Sequence, residues 1–285
     1  MATPYASPES TSLDDAGVAT AAARAGAHVV RSLYGRRLAR VDKGGGDFAT
    51  AADVEAERAI LDVLRVVRPD DAVLGEESGQ HGAAGSARRW LVDPLCGTLN
   101  YAAGGMLVAV NVALHDGSLH DGALGDGALG DGAAAVADPF SGEVFVTDGE
   151  TAWALRDDVV EPLVPTSATR LVDVNLDPPF PSAPGFRAVD LLAHPGFVER
   201  FRPRVVSTTL ALTWVAAGKR AAYVTDGADL AGSVHFAAGI ALCRVAGCVV
   251  TGIDGEPVGP ASRGLVAAAD AGTHRLLMSM IRGEA

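Results

Sequence analysis

Three observations predict a layered α/β fold. Apolar positions recur at helical spacing in two long N-terminal segments, and short apolar runs bounded by turn residues follow them. Helix and strand signals then keep alternating to the C-terminus, which indicates a mixed sheet covered by helices. With 285 residues, 48% of them hydrophobic, the chain can fill a sizeable core. The expected organisation is one compact unit of two packed halves, 13–150 and 151–285, preceded by a disordered tail over 1–12.

From Asp14 to about Arg40, Val18, Ala22, Ala25, Val29 and Leu33 fall on one helical face, with Asp14 or Asp15 placed to cap the start. Gly44-Gly45-Gly46 breaks the pattern. A second helix follows from about Ala51 to Val67, with Val54, Ile60, Leu61 and Leu64 expected on one face and Pro69 stopping it. Strands are expected at 72–74, 90–92, 107–114, 133–137 and 143–147. The second half adds helices around 209–217 and 234–245 and strands at 221–224 and 249–252. The tandem DGALGDGALGDGA, residues 121–133, is too short for a solenoid and suits a lengthened hairpin loop. GAAGSARR, residues 82–89, reads as a flexible loop over the site.

The formal charge of −12 argues against a polyanion such as nucleic acid as partner. Three cysteines, Cys96, Cys243 and Cys248, make no disulfide framework. The first dozen residues lack a basic segment followed by an apolar one, and no apolar run approaches the roughly 18 residues of a membrane span. A cytoplasmic protein with no membrane partner is the expectation. His115 and His120 are read as solvated loop residues, and Cys243 and Cys248 as core.

Two motifs carry chemistry, Gly75-Glu76-Glu77-Ser78-Gly79 and Asp93-Pro94-Leu95-Cys96-Gly97-Thr98, each after an expected strand. A carboxylate at a strand end, followed by a turn that exposes N–H groups and opens a helix, can hold a divalent cation beside an anionic group. Phosphate-ester chemistry needs that pairing. Upstream, Asp47, Thr50, Asp53 and Glu57 gather at the start of the second helix, where acidic groups suit the positive end of the dipole.

In order and spacing these segments resemble the inositol monophosphatase family of metal-dependent, lithium-sensitive phosphatases. The resemblance runs through Asp47-x-x-Thr50-x-x-Asp53, Gly75-Glu76-Glu77 and Trp90-Leu91-Val92-Asp93-Pro94-Leu95-Cys96-Gly97-Thr98-Leu99-Asn100-Tyr101-Ala102-Ala103-Gly104. It continues through STTLALTWVAAG at 207–218 and SVHFAAGIALCRVAGCVVTGIDGEP at 233–257. The family fold it implies is an α-β-α-β-α sandwich, usually homodimeric, acting on a small phosphorylated or polyol-like metabolite. The resemblance further implies Mg²⁺ at Glu76, Asp93 and the Leu95 carbonyl, a water oriented by Asp53 and Thr98, and phosphate cradled by the N–H groups of Gly97 and Thr98. Ser207, Asp226 and Asp229 would face the alcohol part of the substrate.

The departures are as informative. Where the family places two further aspartates to hold a second Mg²⁺, this chain has Cys96 and His235, and a late-helix aspartate is replaced by Ala211. Mg²⁺ prefers hard oxygen ligands, so ordinary Mg²⁺-dependent turnover is disfavoured. Three readings of Cys96 and His235 remain open. They bind a softer ion such as Zn²⁺ with Asp93, with or without Glu76; or they act as a nucleophile/base or acid/base pair in a repurposed reaction such as elimination, cyclisation or isomerisation, with one metal or none; or the protein is a non-catalytic binding or regulatory relative.

Overall fold

The computed structural model describes residues 13–284 apart from 45–46, 84, 118–131, 158, 177–186, 227–229, 231–232, 260–261 and 263, and leaves the Asp47 side chain undescribed. The expected tail at 1–12, His120, Asp229 and nearly all of the DGALG repeat therefore lie outside the described residues.

Helix α1 (Asp15–Leu33) starts where Asp14 accepts a bond from the Gly17 N–H. It ends earlier than the periodicity suggests, because Tyr34 leaves helical geometry and Gly35 takes φ 74°. The chain then forms a hairpin, β1 (Arg40–Gly44) and β2 (Asp47–Thr50), where helix was expected up to Arg40. The five residues of β1 are exposed, so no apolar alternation marks the strand. Helix α2 (Ala51–Val67) matches expectation at both ends. Thr50 and Asp53 form a capping box at its start, and the Arg68 N–H closes on the Leu64 carbonyl at its end.

An eight-stranded sheet follows, in spatial order β10-β9-β8-β7-β6-β5-β3-β4. Its strands are β3 (Ala72–Gly75), β4 (Gly79–His81), β5 (Arg88–Cys96), β6 (Ala109–Asp116), β7 (Ala134–Ala137), β8 (Val144–Thr147), β9 (Ala152–Arg156) and β10 (Val159–Pro162). The five-stranded sheet has the order β12-β11-β13-β15-β14, from β11 (Leu171–Asn175), β12 (Arg202–Val205), β13 (Ala222–Thr225), β14 (Val249–Thr251) and β15 (Leu265–Ala268). The helices α3 (Thr98–Ala102), α4 (Ala188–Ala193), α5 (Pro195–Arg200), α6 (Leu210–Ala216), α7 (Ala237–Val245) and α8 (Ala271–Ile281) complete the chain.

Three apolar clusters fill the spaces between five layers. Successive residues of a strand point to opposite faces, so β6 sends Val110, Val112 and Leu114 toward α1 and α2, and Ala109 and Ala113 toward α6 and α7. The inner layer of α6 and α7 is apolar around most of its surface, as suits a helix pair between two sheets. Val172, Val224 and Val266 of the second sheet meet Leu191, Phe197 and Leu277 of the outermost helices. This is the α-β-α-β-α sandwich.

Parallel strands β3 and β5 put Glu76 and Asp93–Cys96 at one end of the first sheet. The described residues of 82–89 lie toward the opposite end of β5, where Arg88 is about 25 Å from Cys96 at the usual strand rise, so they do not cover the site. Arg88 anchors them there by bonding Asp15, Asp71 and Asp116. His115 pairs with Arg89 in the same ladder rather than lying in a loop.

Candidate active site

Pro94 has no N–H to give to the ladder, and the β5–β6 register shifts between Asp93 and Cys96. The irregularity turns the end of β5 into the site. Gly97 follows with φ 102°, a conformation that disfavours side chains, and a Cβ there would lie 3.0 Å from the Leu107 carbonyl and 3.1 Å from that of Ser207. Only glycine permits this close approach of the two halves. Asn100 fastens it by donating to the Leu107 and Ser207 carbonyls at 2.9 and 2.8 Å.

One side of the site is an oxygen-rich relay. Asp53 is buried and accepts from the Thr50 N–H at 2.8 Å, the Thr50 hydroxyl at 2.6 Å and the Thr98 hydroxyl at 2.8 Å. Burial pushes its carboxyl up, while these hydrogen bonds oppose the rise. The Thr98 hydroxyl also stands 3.1 Å from the Leu95 carbonyl. It has one proton, so donation to Asp53 leaves its oxygen free to accept from a water.

The other side has a different donor set. Asp93 is fully buried, with Oδ1 accepting from the Leu95 N–H at 3.1 Å and Oδ2 standing 2.8 Å from His235 Nδ1. One ligand atom each of Asp93, Cys96 and His235 lies within 4.8 Å of the others. Thr209 donates its N–H to Cys96 Sγ at 3.3 Å, and Asn111 bridges Asp93 Oδ2 and the Thr209 hydroxyl at 3.3 and 2.9 Å. The start of α6 thus fixes both Asp93 and Cys96.

Glu76 completes the cluster, with Oε2 4.0 Å from His235 Nδ1. Burial, and then the Asp93 charge, push its carboxyl up to about 8. Burial opposes the charged form of His235, yet Asp93 and Glu76 outweigh it and raise its pKa to about 9. Burial and Asp93 also push the Cys96 thiol well up, so without a neighbouring cation it stays protonated. A lone Cys96 thiolate nucleophile is therefore disfavoured, and no hydrogen bond joins Cys96 to His235.

One contributor escaped sequence reasoning, and a second has a role that its place at the helix start did not reveal. Lys43, on the hairpin, bonds Glu76 at 2.9 Å and Glu77 at 2.8 Å, and these carboxylates raise its pKa although burial opposes its charge. Its being one of two lysines in the chain was the available signal. Glu57 accepts from the N–H groups of Glu77 and Ser78 at 2.8 and 2.9 Å and so shapes the GEES turn. Asp226 departs from its expected role as a wall facing substrate: it is buried, and its Oδ2 binds Arg187 Nε at 3.0 Å and the Ala188 N–H at 2.9 Å, fastening α4. Ser207 does stand beside the Gly97 turn. Ala211 and Cys243 are core, with Cys243 donating to the Leu212 carbonyl.

The donor chemistry decides which cations fit. Glu76, Asp93 and the Leu95 carbonyl offer the hard oxygens that suit Mg²⁺. Asp93, Cys96 and His235 offer carboxylate, thiolate and imidazole, a set suited to Zn²⁺ that leaves the fourth position of a catalytic zinc site free.

Comparison with known proteins places these features in context. The model of the inositol monophosphatase family matches residues 14–284. A probable inositol 1-monophosphatase ImpA of Mycobacterium tuberculosis is 33% identical over 82% of this chain and 83% of its own length. A Nus factor SuhB of Vibrio cholerae is 27% identical over 90% and 91%. Among solved structures, the extragenic suppressor protein SuhB of Bartonella henselae superposes with a TM-score of 0.77 at 25% identity, covering 93% of this chain and 98% of that one. An inositol monophosphatase of Thermotoga maritima shares the fold, with a TM-score of 0.73 at 20% identity over 92% and 94%.

Proposed function

The chain belongs to the inositol monophosphatase family, and from that premise we propose that it is a phosphomonoesterase for a small polyol-like phosphate, working with a zinc-type cation at Asp93, Cys96 and His235. The observation that carries the reading is the convergence of those three donors beside an intact Asp53–Thr98 pair.

Asp53 is fully buried and held by three donors, so it acts on water through Thr98 rather than by direct contact. Thr98 Oγ1 is the group that touches the nucleophile, and Asp53 takes up the hydroxyl proton as the water's proton passes to Thr98. The products are the free alcohol and inorganic phosphate. The N–H groups of Gly97 and Thr98 receive the phosphoryl oxygens, and Lys43 holds Glu76 and Glu77 in place at the rim. Divalent cations bound at Asp93 would supply positive charge to the phosphoryl group and to the departing alkoxide. The same reading keeps a cytoplasmic homodimer with no nucleic-acid or membrane partner.

A second reading rests on Lys43. With its ammonium on Glu76, Lys43 and His235 could replace metal charge and leave a fold that binds a phosphorylated metabolite without hydrolysing it.

Protein stripped with chelator and reloaded with Co²⁺ separates the two. The first reading predicts a thiolate-to-cobalt absorption band that is lost in Cys96→Ser, together with Zn²⁺-dependent phosphate release from a panel of polyol phosphates. Saturable binding of those esters, with no band and no release under any divalent ion, would instead support the second.

A further inference from the structure

A cavity of about 390 Å³ lies behind the active site, lined by Arg36, Arg37, Leu38, Arg40, Thr50 and Tyr101 among others. It is within the usual size range of small-molecule sites. The chain carries 35 acidic against 23 basic residues, and several of its other arginines take a carboxylate. Arg68 and Arg88 hold Asp15, Arg156 holds Glu143, Arg187 holds Asp226 and Arg220 holds Asp173. Arg36, Arg37 and Arg40 have no carboxylate partner among the described residues.

Ordinary helix electrostatics do not account for them. A cation near the C-terminus of α1 is favoured by the dipole, but Arg31 already occupies the last turn, and Arg40 stands on β1 with its guanidinium 4.6 Å from the centre of the Phe48 ring. Stacking on Phe48 limits where that guanidinium can go. Three arginines among the residues that line one cavity, in a protein of net charge −12, concentrate positive potential where the rest of the molecule repels anions. Their planar forks match phosphate oxygens two at a time.

We propose that this cavity is a second binding site, separate from the catalytic centre, for a small multiply charged phosphate compound such as a diphosphate or a phosphate ester. The cavity shares Thr50 with the catalytic machinery, since Thr50 lines it and also donates to Asp53 at 2.6 Å. Its base is joined to the catalytic rim by β1, which carries Arg40 at one end and Lys43 near the other. Occupancy is independent of any cation at Asp93, because no residue of that cluster lines the cavity.

Calorimetric titration of full-length protein with inorganic pyrophosphate in chelator, at fixed ionic strength, tests this. The expected result is one saturable site per chain, retained in Asp93→Asn and weakened at least tenfold in Arg36→Gln/Arg37→Gln. Arg24→Gln/Arg31→Gln removes the same charge from the exposed face of α1 and should leave binding unchanged. Titration of wild type with inorganic phosphate then identifies the source of the recognised group: binding as tight as that of pyrophosphate means that free phosphate suffices, and weaker binding that a second charged group is read. Absence of saturable pyrophosphate binding in wild type, loss in Asp93→Asn, or equal weakening in both arginine pairs would overturn the proposal.

Discussion

The two sides of the active site share Asp93 as neighbour but follow different chemistry. On one side, Asp53, Thr50 and Thr98 form an oxygen relay in which the single Thr98 hydroxyl proton goes to Asp53. On the other, a carboxylate meets a thiol and an imidazole within 4.8 Å. The first needs only correct placement of a water. The second needs a cation able to ionise Cys96 against burial and a neighbouring carboxylate. The contrast teaches that water activation and leaving-group stabilisation can diverge separately, because different elements supply them: α2 and the Gly97 turn for one, β5, α6 and the segment before α7 for the other.

Removing the shared residue should have the largest effect. Asp93→Asn weakens either cation site, and losing several kcal/mol of charge stabilisation lowers turnover on the order of 10³-fold. Metal titration and phosphate release would show both effects together. Asp53→Asn should instead cost roughly 10²-fold in turnover while leaving Zn²⁺ affinity within a factor of a few, since proton transfer alone is affected. Equal loss of metal binding in Asp53→Asn would erase the distinction between the two sides. Cys96→Ser should weaken Zn²⁺ by more than the roughly 10–100-fold that changes next to a ligand bring about, with Mg²⁺ binding little altered.

The pH response sharpens the comparison further. Both raised groups, Glu76 at about 8 and His235 at about 9, favour the folded metal-free protein at low pH. That contribution is complete below their unfolded pKa values and is lost as pH rises through 8 and 9. Thermal melts in chelator should therefore show falling stability between pH 6 and 9, with a shallower slope in Glu76→Gln. An unchanged slope in that variant would contradict the assigned environment of Glu76. The smallest effect belongs to the cap: Thr50→Ala should cost about 1 kcal/mol of stability, read as a small drop in Tm.

Much of this could be read from sequence because local chemistry dictates it. Thr50 and Asp53 mark the start of α2 by capping, and turn residues bound the strands that carry Glu76 and Asp93. The hairpin β1–β2 was hidden because an exposed strand has no apolar alternation, and with it went the role of Lys43, which emerges only when the hairpin folds against Glu76 and Glu77. Strand β10 escaped for the same reason, being exposed along its whole length. Asp226 illustrates the converse: a polar residue in a motif-bearing region is buried under Arg187, a partner 39 positions away that no local pattern connects to it.

The most direct test of the central claim compares the metal preference of phosphate release in wild type and in Cys96→Asp/His235→Asp. With Asp93, Cys96 and His235 forming the cation site, wild type should work better with Zn²⁺ than with Mg²⁺, and the double variant should reverse the order. An unchanged preference in a folded double variant would contradict the assignment of Cys96 and His235 as the residues that select the metal.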